Sequence, residues 1–325
     1  MRNSSPNTKE FKTFSEQLAL LQDRGMTIPD LAAAEAFLCR VNYYRLSGYW
    51  HPMRRFDSER RVVLDSFQDG ASFGIVTELY DFDEKLRNAI FSSLAPVEMA
   101  IRTMLGHELG RINPTIHLCP DLLGAQATQR SGEEGNTRYD LWIQKYRTQI
   151  RRSKEDFVSH HNEKYDGKLP IWAAVEVMDW GMLSHLYAMS PNITQNRIAN
   201  SCGLSSPQLQ SWLKSLNILR NYSAHHARVF NRVYDIKPKL NRKDDPNPNV
   251  LLTTFEDAKN RVFGQLSMIQ YLHLKLELSP AVQLPALLAT YPDNRFVPFS
   301  RLGAPSNWQT TPLWQSASSS QNGSF

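Results

Sequence analysis

The chain has 325 residues, of which 41% are hydrophobic and 21% are charged. This balance is typical of globular proteins, supplies enough apolar residues for a substantial core and excludes wholesale disorder. The net charge of +5 is mildly basic, so it permits a nucleic-acid partner without requiring one. The three cysteines are too far apart for a metal-binding pair, and no apolar run approaches the ~20 residues that span a bilayer. Together with a polar N-terminus, these features predict a cytoplasmic protein without a membrane segment.

The N-terminal elements are predicted from helix-start signals and from residues that end helices. Thr13 is followed three residues later by Glu16, which is the capping-box pattern of a helix start, and Gly25 ends that helix. In chain order we predict a loose tail over 1–12, a helix over 13–25, a second helix from Pro29-Asp30 toward Tyr44, an aromatic segment over 43–52 that Gly48 and Pro52 break, and a hairpin or ordered loop over 54–64.

The central elements are predicted from helical periodicity. Apolar residues recur at three- and four-residue spacing from Ser72 onward, which predicts a long helix that Pro96 kinks or divides and that Asn113-Pro114 ends. We then predict an exposed loop over 120–137, a helix over 138–160, an apolar helix over 171–189 with an interruption near Trp180-Gly181, and a short helix over 194–202.

The C-terminal elements begin with a long helix that Ser206-Pro207 opens and that is predicted to reach about Val233. We further predict a loop over 235–249, a helix over 255–276, an extended proline-rich segment over 278–314 held by Trp308 and Trp314, and a disordered tail over 316–325. Strand signals are rare, so the fold class is mainly α. We expect a helical bundle over 67–277, a helical and aromatic segment over 1–66 before it, and an extended C-terminal segment over 278–325.

The long helix contains an arginine, an asparagine and a histidine in close succession, as Arg220-Asn221 followed by His225-His226. Arg220 and His225 are about 140° apart around an ideal helix. They meet only if the arginine wraps round, the helix distorts, or each finds a partner on another helix or subunit. The polar residues of the helix recur at steps of three or four and share one stripe, formed by Asn217, Asn221, His225, Arg228 and Arg232.

These residue types suit the cleavage of RNA, which carries its own nucleophile in the ribose 2′-hydroxyl. Histidine transfers protons near neutral pH, and arginine stabilises the charge that develops on the phosphate. The expected products are a 2′,3′-cyclic phosphate and a 5′-hydroxyl, and the scheme needs no metal or cofactor. Because one histidine cannot hold both proton roles at once, a second must come from His226, from another helix or from a partner subunit.

Other candidate residues have a structural alternative that competes with a functional one. Arg102 and His107 repeat the spacing of Arg220 and His225, but Glu98 lies four residues before Arg102, which favours an intrahelical ion pair. The aromatic segment can stack bases or form a packed aromatic cluster, and its composition favours packing. The candidate RNA-binding residues, which are otherwise solvated or packed side chains, are Tyr44, Arg45, Arg54, Arg55, Arg151, Arg152, Arg228 and Arg232.

Several motifs in order resemble those of the Abi-like abortive-infection proteins of bacteria (the AbiD/AbiF group). The resemblance covers roughly residues 14–232. The matching segments are Arg24 to Ile28, Tyr43 to Trp50, Leu79 to Asp83 with Leu86-Arg87, Glu98 with Ile101 to Thr103, Pro170 to Trp172 with Glu176, Trp180-Gly181 with Ser184, and Arg220-Asn221 with Ala224 to His226 and Asn231-Arg232. Trp180-Gly181 stands where the family has phenylalanine-glycine.

The resemblance implies a HEPN-type helical core and a ribonuclease that acts in phage defence. It assigns the catalytic site to Arg220, Asn221 and His225. The residue spacing and the need for a second histidine add His226, Arg102 and His107 as secondary candidates. It also implies a homodimer, because two such domains form one composite site, and it implies an RNA partner that includes a small non-coding RNA. Two alternatives use the same polar stripe: a regulator that binds RNA without cutting it, and an interaction protein whose stripe is a dimer interface.

Overall fold

A computed structural model describes residues 8–131, 135–241, 249–253, 255–278 and 283–319. The chain is mainly α-helical, as predicted. None of the helices in these ranges has both the length and the apolar character needed to cross a membrane. The predicted N-terminal tail is described only from residue 8 and the predicted C-terminal tail only to residue 319. The predicted loops over 120–137 and 235–249 likewise fall partly outside the described residues, at 132–134 and 242–248.

The chain divides into two compact units, Met1–Lys85 with Thr290–Arg301, and Leu86–Ala289 with Leu302–Phe325. The division falls inside one helix, α4. The domain boundaries predicted at 66 and 277 rest on composition and stay a prediction. The elements up to this helix are α1 (Phe14–Asp23), α2 (Leu31–Arg40), α3 (Tyr43–Trp50), β1 (Arg54–Asp57), β2 (Val62–Phe67) and α4 (Phe73–Gly110).

The start of the first unit forms as the sequence predicts. Thr13 accepts a hydrogen bond from the backbone N–H of Glu16 and donates its own N–H to the Glu16 carboxylate, so the capping box is confirmed. Of the two alternatives for residues 54–64, the structure has the hairpin, in which β1 and β2 pair antiparallel with Phe56 opposite Val63.

The aromatic segment is a helix, which corrects the prediction that Gly48 breaks it. Asn42 caps α3 by accepting the N–H of Tyr44, and Leu46, Tyr49 and Trp50 are buried. The burial of three large side chains outweighs the modest helix penalty of one glycine, which is ~1 kcal/mol. Packing is therefore the main role of this segment, as favoured from its composition.

Helix α4 is continuous through Pro96, so the prediction that the proline divides it is wrong. A proline in a helix interior removes one backbone hydrogen bond and costs ~3 kcal/mol or more. Leu94 and Val97 on either side of it are fully buried. Their packing, with that of the other apolar residues along 38 helical residues, offsets the cost.

The second unit contains the rest of α4 and ten further helices among the described residues. They are α5 (Arg138–Arg152), α6 (Asp156–Lys164), α7 (Ile171–Ala174), α8 (Trp180–Met189), α9 (Asn192–Ser201), α10 (Ser206–Ala224), α11 (Val250–Thr253), α12 (Val262–Lys275), α13 (Gln283–Leu288) and α14 (Pro312–Ser319). Short 3-10 turns at Ile116–Leu118, Pro120–Leu122, Val175–Val177 and Trp308–Thr310 join some of them.

Four predicted elements of this unit differ from the structure. The predicted helix over 138–160 is two helices, because Ser153 and Glu155 are in extended conformation between them. The helix predicted from 255 starts only at Val262, and the one predicted to reach Val233 ends at Ala224. The C-terminal segment is not extended throughout, since it contains α13 and α14. It is held as predicted, because Trp308 and Trp314 are buried against Phe263.

Helix α10 occupies the centre of the second unit and contacts α8, α9 and α12. Its apolar stripe, which includes Leu209, Leu213 and Leu216, is buried. The indole N–H of Trp180 at the start of α8 donates to the Leu213 carbonyl across a distance of 2.8 Å. These contacts fix the orientation of α10 and therefore decide which of its polar residues reach the surface.

Candidate functional site

The helix that carries the arginine–histidine motif ends in a Schellman-type cap. His225 is the C-cap, and the next residue, His226, has a left-handed backbone with φ of 55°. The N–H of His226 donates to the Ser223 carbonyl, and the N–H of Ala227 donates to the Tyr222 carbonyl across 2.8 Å. This cap reverses the chain at the motif itself, which is why the helix stops well before Val233.

Asn221 and His225 emerge beside each other on the last turn of α10. The backbone N–H of His225 donates to the Asn221 carbonyl across 3.0 Å, which keeps His225 in register with that turn. Both side chains are exposed, while Asn217, one turn earlier, is half-buried. Arg228 and Arg232 lie beyond the helix end, so the predicted stripe is correct only from Asn217 to His225.

Arg220 is half-buried and lies beside an aromatic ring. Its guanidinium carbon is 5.4 Å from the centre of the Phe91 ring in α4. Its Nε is buried without a hydrogen-bond partner, and no carboxylate of the described residues forms an ion pair with it. The guanidinium is thus held in place by packing while its hydrogen-bond donors remain unused.

The charge of Arg220 is felt at Asp179, the N-cap of α8. Burial is the largest single influence on the pKa of the Asp179 carboxyl and raises it, but the hydrogen bonds from Lys145 and from the Met182 N–H, together with the charge of Lys145, lower the pKa overall. The positive charge of Arg220 adds to the lowering. The Lys145 Nζ is 2.6 Å from the Asp179 Oδ2, so the carboxylate is already committed to the lysine.

The chain folds back after the cap and brings a second arginine to α10. The guanidinium carbon of Arg232 is 4.2 Å from the centre of the Tyr222 ring, and its Nε is buried without a hydrogen-bond partner. Arg228 lies 5.9 Å from the centre of the Phe230 ring. Arg220 and Arg232 therefore share two features: the guanidinium lies beside an aromatic ring, and its Nε is buried without a hydrogen-bond partner.

The similarly spaced pair Arg102 and His107 is in a different state. Arg102 donates to the Glu98 carboxylate across 2.8 Å and to the Met178 carbonyl across 3.0 Å, so the intrahelical ion pair expected from the spacing is present. The Arg102 side chain is only 13% exposed. His107 is exposed, and its Nε2 is 4.0 Å from the Glu108 carboxylate. These residues have structural partners that Arg220 and His225 do not have.

The other predicted RNA-binding residues lie at scattered places. Tyr44 and Arg45 are exposed on α3. Arg54 and Arg55 form ion pairs with Asp65 and Asp69, so they hold the hairpin and its flank together. Arg151 and Arg152 are exposed in the last turn of α5. His160 and His161 of α6, which are not candidate RNA-binding residues, make tilted ring contacts with Tyr165 at the end of that helix.

A polar cleft between α5, α8 and α10 contains residues that the motif analysis did not single out. Its volume is about 740 Å³. Partial burial lowers the pKa of His185 on its wall, and nearby positive charges lower it further. One sequence signal was available: Lys214 precedes Asn217 by three residues and so extends the stripe. The side chains that give the cleft its charge and polarity are Arg138, Lys145, His185, Gln210, Lys214 and Asn217.

The structure therefore brings some of the predicted residues together and separates others. Asn221 and His225 are neighbours on one exposed turn, and Arg220 lies on a different side of the same helix. No hydrogen bond joins Arg220 to His225 within the described part of the chain. Such an arrangement can bind a phosphate and can offer an accessible imidazole for proton transfer.

In a comparison with protein families, the model of a family described as Abi-like protein matches residues 36–231. The matched range is more than half of the chain and includes Arg220, Asn221, His225 and the polar cleft. No match was found among curated proteins or among solved structures.

Proposed function

The chain belongs to the Abi-like protein family, and from this premise we propose that it is a metal-independent endoribonuclease with a HEPN-type core. The family is named after abortive infection, so membership suggests a role in bacterial defence against phages. In such a system an enzyme that cuts RNA halts growth of the infected cell. The proposal assigns this toxic activity to the end of α10.

One observation carries the proposal: an arginine without an ion-pair partner lies on the same two turns as an exposed histidine. Arg220 keeps unused donors next to Phe91, and His225 is open to solvent at the helix end. A guanidinium that served only stability would be expected to pair with a carboxylate, as Arg102 does with Glu98. Unpaired donors of this kind suit the non-bridging oxygens of a phosphate.

The residues would act on RNA by an in-line attack of the 2′-oxygen on the adjacent phosphorus. A base removes the proton from the 2′-hydroxyl, the bond between the 2′-oxygen and phosphorus forms, and the bond to the 5′-oxygen breaks. An acid then protonates the 5′-oxygen that leaves. His225 takes one of these proton roles, Arg220 stabilises the charge on the phosphorane, and Asn221 orients the imidazole or the phosphate.

The second proton carrier is proposed to come from a second copy of the chain. Two HEPN-type units in a homodimer would bring two sets of Arg220 and His225 to one scissile bond. His226 is exposed beside His225 and is the candidate within one chain. A structured small non-coding RNA is a further proposed partner, which would hold the enzyme inactive until infection.

The test is RNA cleavage by the full-length protein in the presence of a chelator. We expect Arg220→Ala and His225→Ala to lower the cleavage rate by about 10² or more, since general acid–base catalysis alone contributes about that much. His160→Ala is the matched control, because His160 is also an exposed helical histidine but lies on α6. The wild-type products should carry 2′,3′-cyclic phosphate and 5′-hydroxyl ends. Equal cutting by His225→Ala would reject the catalytic assignment.

A second candidate function is a regulator that binds RNA without cutting it. The cationic cleft between α5, α8 and α10 favours this function, because it offers Arg138 and Lys214 for phosphate binding at some distance from His225. Tight RNA binding with intact RNA at the end of the chelator assay would select the regulator.

A further inference from the structure

The walls of the polar cleft in the second unit are formed by packed residues of three helices. Trp142 of α5 is buried, and its indole N–H donates to the Met182 carbonyl of α8 across 3.1 Å. Met182 is itself buried and lines the cleft. Gly181 allows α8 to approach α10, because a Cβ at this position would lie 3.2 Å from the Asp179 Oδ1 and 3.6 Å from the Asn217 Nδ2. The walls are therefore set by helix packing.

The charge of the cleft is positive. Its cationic side chains are Arg138, Lys145 and Lys214, and none of its described lining residues is acidic. The charge of Lys145 is neutralised by Asp179, which does not line the cleft and whose Oδ2 lies 2.6 Å from the Lys145 Nζ. Arg138 donates to the amide oxygen of Gln126 across 2.8 Å, so a neutral group positions it and its charge remains uncompensated. Lys214 is exposed and has no carboxylate within ion-pair distance in the described ranges of the chain. Two full positive charges are thus left for an anion.

The neutral groups of the cleft suit a nucleotide. Because the pKa of His185 is lowered by its partial burial and by the neighbouring cations, its imidazole is neutral at pH 7 and can accept a hydrogen bond. Ser184, Gln210 and Asn217 add hydroxyl and amide groups to the same lining. A cavity of about 740 Å³ has the size of a small-molecule site, so it admits one or two nucleotides of a single strand and excludes a double helix.

The cleft lies on the same face of α10 as the proposed catalytic end of that helix. Lys214 and His225 are eleven residues apart, which places them on nearly the same face of the helix and about 16 Å apart along its axis. Asn221 lies between them on that face and is exposed. A bound strand that passes Lys214 can therefore follow the helix surface to Asn221 and His225.

We infer that the cleft between α5, α8 and α10 binds the phosphate backbone of a single-stranded RNA segment and leads it along α10 to Asn221 and His225. Lys214 and Arg138 bind phosphate oxygens, and the amide and imidazole groups contact the ribose and base edges. The inference rests on the proposed function only for what happens to the RNA at His225. Binding in the cleft is a separate property and can be measured separately.

The experiment measures binding of a fluorescein-labelled 2′-O-methyl RNA of about 12 nucleotides, a length within the usual range of single-strand sites. The 2′-O-methyl group removes the nucleophile, so the probe cannot be cut. The test variant is the full-length Lys214→Glu/Arg138→Glu double mutant. The matched control is Lys164→Glu/Lys275→Glu, which makes the same change in net charge at exposed lysines of α6 and α12 in the same unit.

We expect the cleft variant to raise the Kd at least tenfold and the control to change it less than twofold. The slope of log Kd against log salt concentration should fall by about 1.4 for the cleft variant, since each phosphate contact with a single strand contributes about 0.7. The single variant Lys214→Gln, at an exposed position, guards against misfolding and should raise the Kd at least threefold.

The other possible outcomes distinguish RNA binding in the cleft from the proposed ribonuclease activity. Equal binding by the cleft variant and the control overturns the inference, whatever the cleavage assay gives. The absence of RNA binding by the wild type overturns it as well and leaves an acidic peptide as the occupant to test. A mononucleotide that competes as strongly as an unlabelled strand rejects the strand and leaves a nucleotide site. Binding in the cleft without cleavage of unmodified RNA refutes the proposed enzyme and keeps the cleft.

Discussion

Two arginines that each precede a histidine by five residues differ in their electrostatic surroundings. Arg102 is bound to Glu98 and to a backbone carbonyl, and removing it would leave a nearly buried carboxylate without its partner. Arg220 rests on Phe91 and has no carboxylate of the described residues to neutralise. The same sequence spacing therefore places one arginine in an ion pair in α4 and the other against an aromatic ring in α10.

The histidines show the same contrast between structural and accessible positions. His117 is fully buried in the second unit, where its Nε2 lies 3.3 Å from the Tyr146 hydroxyl and its Nδ1 has no partner. Burial lowers the pKa of His117 to about 4. His225, in contrast, is exposed. The first is neutral at any physiological pH and serves packing, while the second is accessible to a ligand.

His117 should make the stability of the protein fall with acid. Its pKa is lower in the folded than in the unfolded state, so the unfolded chain binds the extra proton and the free energy of unfolding decreases as pH falls below about 6.5. The expected loss from this group is about 2 kcal/mol by pH 5 and about 3 kcal/mol by pH 4, with little further loss below that. Urea unfolding at about pH 7.5, 5 and 4 measures this loss of stability.

The variant His117→Phe isolates this effect from the titration of carboxylates. It is expected to be less stable than the wild type at neutral pH, because it leaves the Tyr146 hydroxyl without its ring partner. The difference from the wild type should shrink as pH falls. His107→Gln, at an exposed position, should track the wild type at every pH. A constant difference between wild type and His117→Phe would mean that His117 does not titrate as its burial requires.

At the scale of the helix, the end of α10 is held by a residue that is poorly suited to its conformation. The position after a C-cap in a Schellman motif favours glycine, because other residues lose roughly 1–2 kcal/mol in the left-handed region. Here the position is occupied by His226, with φ of 55°. Strain of this kind is often kept where a side chain serves a function, which fits the proposal that His226 lies at the site.

His226→Gly is therefore expected to stabilise the fold. Relief of the left-handed strain, less the greater freedom that glycine gives the unfolded chain, should raise the free energy of unfolding by about 0.5–1 kcal/mol. The neighbouring variant His225→Gly is the control, since His225 has φ of −97° and gains nothing from glycine. Loss of stability in His226→Gly would show that contacts of the imidazole outweigh the strain. RNA cleavage by the same variant reports what His226 contributes to activity.

Helix starts that carry a local capping signal are predicted better than helix ends. The capping box at Thr13 and the proline at the start of α10 are local features, and both helices start where expected. The end of α10 depends on the left-handed backbone of His226, and a histidine in the sequence does not predict that conformation. Gly48 and Pro96 resemble helix breakers in the sequence but lie inside helices, because the burial of their neighbours decides the outcome.

The candidate site divides in the same way. Asn217, Asn221 and His225 share one helix, so their spacing alone predicts that they line up. The cleft depends on three helices that are far apart in the sequence, and its residues Arg138 and His185 belong to no local motif. The state of Arg220 could not be predicted either, since Phe91 lies on another helix. Tertiary packing supplies these parts of the site.

At the scale of the whole molecule, the number of proton carriers argues for two chains at one site. Arg220 and His225 leave α10 on sides about 140° apart, so one chain does not bring them to the same phosphate without a change of shape. In a homodimer, the arginine of one copy and the histidine of the other can meet at one scissile bond. This arrangement also supplies two imidazoles, one as base and one as acid.

The arrangement predicts complementation between two inactive variants. Arg220→Ala and His225→Ala, co-expressed with different tags and purified through both, form mixed dimers in which one chain keeps His225 and the other keeps Arg220. We expect each variant alone to cut RNA at less than about one hundredth of the wild-type rate, and the mixed dimer to recover measurable cleavage. A mixed dimer of His225→Ala with the Arg220→Ala/His225→Ala double mutant lacks both imidazoles and should stay inactive. If the first mixed dimer is as inactive as this control, the site needs either both copies of His225 or an arginine and a histidine from the same chain, and the exchange of Arg220 and His225 between copies is rejected.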